Sequence, residues 1–374
     1  MNFAFTEEQD QLRDAVRRFM ETKSDEKEVR RLMETAEGYD PELWAQMANE
    51  LGLQSLHIPE AYGGQGFTFI ELGIVLEEMG RALLCSPYFS TVGLATNAIL
   101  NAGTEEQKSA LLPGIAAGET IAALAFTEPN GRWDASGITM EAKGSGDAVT
   151  LDGTKMYVID GHIANTIVVV ARQAGSSGED GIGFYVVDGD AAGLTRTALT
   201  TMDQTRKQAK LEFAGVKATS LGDSATGWTA LSKTLDQAAV CLANEMVGGA
   251  QKVLEMSVEY AKVRVQFGRP IGSFQAVQHR LARSHSMAMA TRWLGRRGAW
   301  FSNDEFITAS AATFACMTAR ETYDNTHQVT GGIGITSEYG LTDWTMRLLA
   351  LHAELGGAKA HSRQVARARR AATT

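Results

Sequence analysis

The sequence RVQFGRPIGSFQ at residues 264–275 decides how this chain is organised. It follows residues 231–263, where apolar side chains recur at three- and four-residue steps and proline is absent. This periodicity predicts a long, buried bundle helix. Gly268 and Pro270 then break that helix, because glycine favours turns and proline cannot continue the hydrogen-bonding pattern. A second amphipathic helix is predicted to begin near Ser273.

Arg264 stands where the predicted helix ends, close in sequence to the aromatic ring of Phe267. A guanidinium in such a place can hold an oxyanion, such as a pyrophosphate, through two parallel hydrogen bonds. The same residue could instead cap the last carbonyl groups of the helix. The spacing alone leaves both interpretations open.

Residues 264–275 resemble the RxxFGxxxxxxQ signature of the acyl-CoA dehydrogenase family, and residues 328–334 resemble its Q-x-x-G-G-x-G loop. The resemblance covers nearly the whole chain, in the family's order. It implies an α+β fold, mainly α, with an N-terminal helical domain (1–120), a middle β-barrel domain (121–222) and a C-terminal four-helix bundle (223–374). The other matching motifs are an opening helix from Phe5, a helix and turn at 43–64, Thr127-Glu128-Pro129 and Gly153-Thr154-Lys155-Met156.

The residue pattern agrees with this order. Residues 1–120 carry apolar residues at helical spacing, and helical periods return after residue 225. Between them, short runs of β-branched or small apolar residues predict strands at 122–126, 148–151, 166–171 and 183–187, with turns such as 145–147. The pattern alone predicts helices, then strands, then helices, whereas the barrel and the bundle are implied by the resemblance.

Composition excludes several classes of protein. The formal net charge of −9 argues against a nucleic-acid-binding protein, which needs a basic surface. The three cysteines are widely spaced and show no clustering with histidine, so we expect neither a disulfide framework nor a metal site. No secretory leader or membrane-spanning run is found, which predicts a cytoplasmic protein.

The family resemblance implies a chemistry that needs a carboxylate. An acyl-CoA thioester lies against flavin adenine dinucleotide (FAD), and a glutamate removes the α proton while hydride leaves for the flavin. Of the two positions at which the family places this glutamate, one is Gly356 here and the other is Ala238. The base is therefore unknown.

Two nearby glutamates are candidates. Glu354 precedes Gly356 by two residues, and if the helix continued, its side chain would point about 200° away. Glu245 lies two turns beyond Ala238 on the same helix face, about 10 Å away by helix rise. Glu245 is the weak candidate for the base, but a buried glutamate bonded to a neighbouring helix is the interpretation we favour.

The positions that the family places around a chain's own flavin are altered. Trp133 replaces a small serine after the Thr-Glu-Pro motif, and Ile159 replaces a hydroxyl-bearing residue. Ala358 and Ala360 replace a threonine and a glutamine that touch the cofactor. Together these changes predict a vacated or reshaped pocket.

A different set of family residues is retained. In family dimers, these positions reach across the interface and bind the FAD held by the neighbouring subunit. The alternative is a bundle that keeps its helix-turn geometry after losing flavin. The predicted FAD-binding residues are Arg264, Gln266, Phe267, Gln275, Gln328, Gly331 and Gly332.

Three functional hypotheses follow. The first is a subunit of an acyl-CoA dehydrogenase that contributes half of an FAD site to a paralogous partner chain, as in the shorter, degenerate subunits of bacterial α2β2 steroid-type enzymes. The second is a self-sufficient homo-oligomeric dehydrogenase with an unusual base, such as Glu245. The third is a flavin-free scaffold. The resemblance also implies an electron-transfer flavoprotein as electron acceptor.

Overall fold

The computed structural model describes residues 4–144 and 148–372, so the predicted turn at 145–147 lies outside the described residues. The chain is helical at both ends with strands between, which confirms the predicted fold class. The helices are α1 (Glu7–Lys23), α2 (Glu26–Met33), α3 (Pro41–Asn49), α4 (Phe69–Ala82), α5 (Thr96–Ala102), α6 (Glu105–Ala116), α7 (Gly227–Val263), α8 (Gln275–Trp300), α9 (Glu305–Thr330), α10 (Leu341–Ala353) and α11 (Gly357–Ala371), with a π-helix at Phe89–Ala95.

Side-chain caps determine where several of these helices begin. The Thr6 side chain accepts a hydrogen bond from the backbone N–H of Gln9, and the Gln9 side chain accepts one from the backbone N–H of Thr6. Thr104 and Gln107 repeat this arrangement at α6. Such reciprocal bonds satisfy amide groups that have no partner within the helix. The predicted opening helix is therefore confirmed as α1.

The middle of the chain forms a seven-stranded sheet. Strand β4 pairs with β2 and β5, β2 with β3, and both β3 and β5 with β7, so the pairing closes on itself as a barrel. The four predicted strands are present; β2, β6, β7 and most of β3 were not predicted. The strands are β1 (Ala122–Ala125), β2 (Glu141–Lys143), β3 (Val149–Ile159), β4 (Thr166–Gln173), β5 (Ile182–Asp188), β6 (Leu194–Leu199) and β7 (Gln208–Leu221).

Contacts group the chain into two compact units, with one division falling inside α7 between Ala238 and Ala239. Unit 1 comprises residues 1–31, 68–84 and 239–374, and unit 2 comprises residues 32–67 and 85–238. The division at 120 and 222 remains a prediction from the sequence.

In unit 1, α4 and α7 approach so closely that glycine is required at the contact. A Cβ on Gly80 would lie 2.1 Å from the carbonyl oxygen of Glu245, and one on Gly248 would lie 1.8 Å from that of Glu77. Neither neighbour is a flexible side chain, so a larger residue would force the helix backbones apart. This contact fixes the part of α7 that carries Glu245.

Polar groups on α4 are paired with other helices of unit 1. Buried Glu78 accepts two hydrogen bonds from Arg17 of α1, at 2.8 and 2.7 Å. Glu77 accepts one from Arg292 of α8 at 2.8 Å. Because an uncompensated buried charge is costly, each pair favours one arrangement of the helices.

In unit 2, a buried ion pair anchors the start of the loop that carries Trp133. Lys155 Nζ lies 2.7 Å from Glu128 Oε1, and Glu128 also accepts the backbone N–H groups of Thr139 and Met140. Burial lowers the pKa of Lys155 to about 8, although the attraction of Glu128 opposes this shift. The Thr-Glu-Pro and Gly-Thr-Lys-Met motifs are therefore joined by a charge pair.

None of the described helices has an apolar stretch long enough to cross a membrane. Within residues 4–144 and 148–372, no cluster of three or more histidine, cysteine or acidic residues could hold a metal ion.

Candidate functional site

The predicted break after α7 is a tight β-hairpin. Strands β8 (Val265–Gln266) and β9 (Arg269–Pro270) pair antiparallel around a two-residue turn. Both turn residues have positive φ, 54° at Phe267 and 78° at Gly268, which is the conformation of a type I′ hairpin turn. The Phe267 ring is 92% exposed and meets Phe274 edge to face. Helix α8 then starts at Gln275, close to the predicted position.

Arg264 lies at the base of this hairpin with an exposed side chain. Its backbone is fixed on both sides, because its N–H donates to Tyr260 and its carbonyl accepts from Ile271. Within the described residues its guanidinium forms no ion pair and donates to no helix carbonyl. The capping interpretation is therefore wrong for this conformation, and the guanidinium is available to an external oxyanion.

The glycine-rich loop follows α9 on the same unit. Gln328 is exposed, and Gly331 takes a φ of 63° just after the helix ends. A Cβ built on Gly331 or Gly332 would meet nothing within 4 Å, so their backbone faces open space. All seven predicted FAD-binding residues are exposed and belong to unit 1.

Gly356, at one family base position, lies in an irregular turn. Helix α10 ends at Ala353, and Leu355 and Gly356 have φ values of 54° and 98°. The helical geometry assumed for Glu354 in the sequence analysis is therefore wrong, because the chain leaves the helix between Ala353 and Gly356. Glu354 itself is half-buried.

Ala238, at the other base position, is fully buried on α7. Further along the helix, the Glu245 carboxylate accepts a hydrogen bond from Arg347 Nη1 of α10 at 2.6 Å, and both residues are buried. Burial raises the pKa of the neighbouring Cys241 thiol, and the Glu245 charge adds to this effect. Glu245 is thus held as a charged partner of Arg347, as the favoured interpretation predicts.

The altered flavin-facing residues of unit 2 lie in two places. Trp133 is half-buried in the loop that begins at Glu128. Ile159 is buried, so its side chain is part of the core. Tyr157 is 55% exposed with a φ of 57°, at a register shift between β3 and β7. Such bulges redirect side chains, and the sequence offered no signal for this one.

A separate cavity of about 290 Å³ opens in unit 1 among α1, α4, α7 and α10. It contains none of the predicted FAD-binding residues. Two of its arginines, Arg17 and Arg81, are already paired with Glu78 and Glu255. The predicted site is therefore an exposed surface of the unit and not this cavity.

Three domain models of one protein family together match almost the whole chain. The family model described as the acyl-CoA dehydrogenase N-terminal domain matches residues 6–119. The models of the middle domain and the C-terminal domain match residues 123–216 and 225–369.

Individual proteins give the same result. The chain is 32% identical to a probable acyl-CoA dehydrogenase, YngJ, of Bacillus subtilis, over 91% of this chain and 92% of that protein. It resembles a variant of the Tcur3481-Tcur3483 steroid acyl-CoA dehydrogenase, with a TM-score of 0.88, 30% identity and coverage of 98% of this chain and 99% of that chain. The ChsE4-ChsE5 complex from Mycobacterium tuberculosis matches with a TM-score of 0.88, 26% identity and coverage of 98% of each chain. The chain belongs to the acyl-CoA dehydrogenase family.

Proposed function

We propose that this chain is one subunit of an acyl-CoA dehydrogenase assembly and contributes the FAD-binding arm to a site housed by a partner chain. The arm consists of the hairpin with Arg264, Gln275 at the start of α8, and residues 328–332 at the end of α9 and just after it. The observation that carries the proposal is the exposure of all seven arm residues on one unit, while neither customary base position holds a carboxylate. Exposed binding residues can reach a cofactor that is held by another chain.

The residues of the arm fit the chemistry of FAD. A pyrophosphate needs paired hydrogen-bond donors, which the guanidinium of Arg264 supplies. The open space before Gly331 and Gly332 lets a flat group approach the backbone. FAD bound here would supply the hydride acceptor of the reaction, and the arm would hold its distal part.

The chain's own residues offer no evident base for α-proton removal. Glu245 would have to leave Arg347, and breaking a buried ion pair on one side costs about 3–5 kcal/mol. That cost opposes the alternative of a self-sufficient homo-oligomer with Glu245 as base. The proton is therefore taken by a glutamate of the partner, while this chain orients the cofactor.

The partner in this proposal is a paralogous acyl-CoA dehydrogenase chain, and the substrate is a bulky acyl-CoA ester. The similarity to the steroid Tcur3481-Tcur3483 enzyme and to the ChsE4-ChsE5 complex supports both statements. The electron acceptor is an electron-transfer flavoprotein, and the assembly acts in the cytoplasm.

The test compares the purified chain, the purified partner and their mixture. Flavin absorbance and acyl-CoA-dependent dye reduction are measured in each. We expect bound flavin and turnover in the mixture, with little or none in the chain alone. Robust turnover by the pure chain that disappears in a Glu245→Gln variant that is still folded would instead favour the homo-oligomer. Absence of flavin from every sample would favour the flavin-free scaffold.

A further inference from the structure

The loop that carries Gly331 and Gly332 is attached to the face of α7 that leads to Arg264. Met256, Tyr260 and Arg264 are spaced at i, i+4 and i+8, so they follow one another along a single helix face. Tyr339, at the far end of the loop, contacts two of these three positions. The two halves of the proposed arm are thereby joined by one side chain.

Tyr339 makes two different contacts with this row. Its hydroxyl donates to the Met256 carbonyl oxygen at 2.8 Å. Its ring meets the Tyr260 ring edge to face, with centroids 5.5 Å apart, which is a favourable geometry for aromatic pairs. The Tyr260 carbonyl also accepts the backbone N–H of Arg264, so Tyr260 lies one helical turn before Arg264.

A second attachment holds the other side of the same segment. Arg30 of α2 donates to the Ser337 carbonyl oxygen and forms an ion pair with Asp343 at 3.3 Å. Arg30 is in turn held by Glu26 at 2.9 Å. These contacts are polar and partly exposed, so they restrain the segment without burying it.

Residues 331–335 of this segment form a short 3-10 helix, whereas residues 336–340, between it and α10, form neither helix nor strand. Glycine has the largest backbone entropy to lose on folding. A Cβ built on the exposed Gly331 or Gly332 would meet nothing within 4 Å, so no neighbouring group packs against that side of either residue. Without the contacts of Tyr339 and Arg30, residues 336–340 would have more freedom to move relative to Arg264.

We propose that Tyr339 is a positioning residue that sets the distance between the 331–340 loop and Arg264. The inference rests on the proposed function, because it assigns the fixed distance to FAD binding. In this proposal Tyr339 makes no contact with the cofactor itself. It acts by holding Arg264 and the 331–340 loop at the separation that FAD requires. Because these groups are already in place, less conformational entropy is lost when FAD binds.

The chain offers a matched pair of conservative variants. Tyr339→Phe keeps the ring contact and removes the hydrogen bond to Met256. Tyr260→Phe also keeps the ring contact, but it removes a hydroxyl that forms no hydrogen bond within the described residues. Hydrogen exchange of amides 331–340 in the isolated chain reports loop attachment, and the FAD dissociation constant of the assembly reports its consequence.

We expect Tyr339→Phe to speed amide exchange in the loop. It should also raise the FAD dissociation constant about fivefold, which corresponds to the net free energy of one ordinary hydrogen bond. Tyr260→Phe should leave both quantities within about twofold, and the midpoint of unfolding should be similar in the two variants. Unchanged exchange in Tyr339→Phe would overturn the inference. Equal losses in both variants would also overturn it, since they would show a general effect of the aromatic pair.

Arg264→Lys separates this inference from the proposed function. If Arg264→Lys weakens FAD binding but Tyr339→Phe does not, the positioning role is wrong and the proposed arm stands. If neither variant affects FAD binding, the assignment of the arm fails. If both weaken it and only Tyr339→Phe loosens the loop, both statements are supported.

Discussion

The guanidinium of Arg347 on α10 lies 2.6 Å from the carboxylate of Glu245 on α7, and both residues are buried. Each charge makes burial of the other possible, and the close contact of α4 with α7 at Gly80 fixes the Glu245 backbone. A general base must reach its proton within hydrogen-bond distance. The contacts that stabilise the Glu245 carboxylate therefore keep it from acting as the general base.

Glu245→Gln should reduce the free energy of unfolding by about 3–5 kcal/mol, because it removes the Glu245 charge from its buried pair with Arg347. Denaturant titration of the isolated chain measures this loss. The double variant Glu245→Leu with Arg347→Met should recover much of it, since neither charge remains. A fully stable Glu245→Gln chain would contradict a structural role for the pair.

Acid should destabilise unit 2 through His57. Burial lowers the pKa of His57 to about 4, although its hydrogen bond with Asn97 opposes the shift. Between about pH 6.5 and 4 the unfolded chain binds a proton that the folded chain does not, so stability falls as the pH falls through this window. The wild type should lose about 3 kcal/mol more than His57→Gln over this window, since each pKa unit corresponds to about 1.36 kcal/mol. Parallel stability profiles for the two chains would refute this prediction.

Arg264→Lys should weaken FAD retention in the assembly. Lysine keeps the charge but cannot form two parallel bonds to a phosphate, and a charge-assisted bond contributes about 1.5–3 kcal/mol, or roughly 10–100-fold in affinity. Arg269→Lys is the matched control, because Arg269 lies on the same hairpin over the Phe274 ring. Equal effects of the two variants would point to net charge and against a specific pyrophosphate contact.

Gly356→Glu should not create a dehydrogenase in the isolated chain. The φ of 98° at Gly356 is rarely adopted by residues with a side chain, so the substitution should cost about 1–3 kcal/mol. Gly356→Ala separates the backbone strain from the effect of the carboxylate. Similar destabilisation in both variants, without dye reduction, is the expected result. Turnover in Gly356→Glu alone would show that the chain already houses a working flavin site.

Much of the fold could be predicted because its signals are local. The period of α7 and the glycine and proline residues after it define a helix and its end without reference to the rest of the chain. Strand β7 was not predicted because few β-branched residues stand next to one another in it, although buried and exposed residues alternate along much of the strand. The closure of the barrel was implied by the family resemblance, since pairing between distant strands leaves no local pattern.

The sequence by itself determined the order of the motifs, the end of α7 and the absence of glutamate at positions 238 and 356. These are matters of residue identity and local backbone preference. Only the tertiary structure decided that Glu245 pairs with Arg347, that Arg264 does not cap its helix, and that Tyr339 joins the glycine loop to α7. Each of these depends on which distant groups meet in three dimensions, because burial and the available partners determine what a charged or aromatic side chain can do.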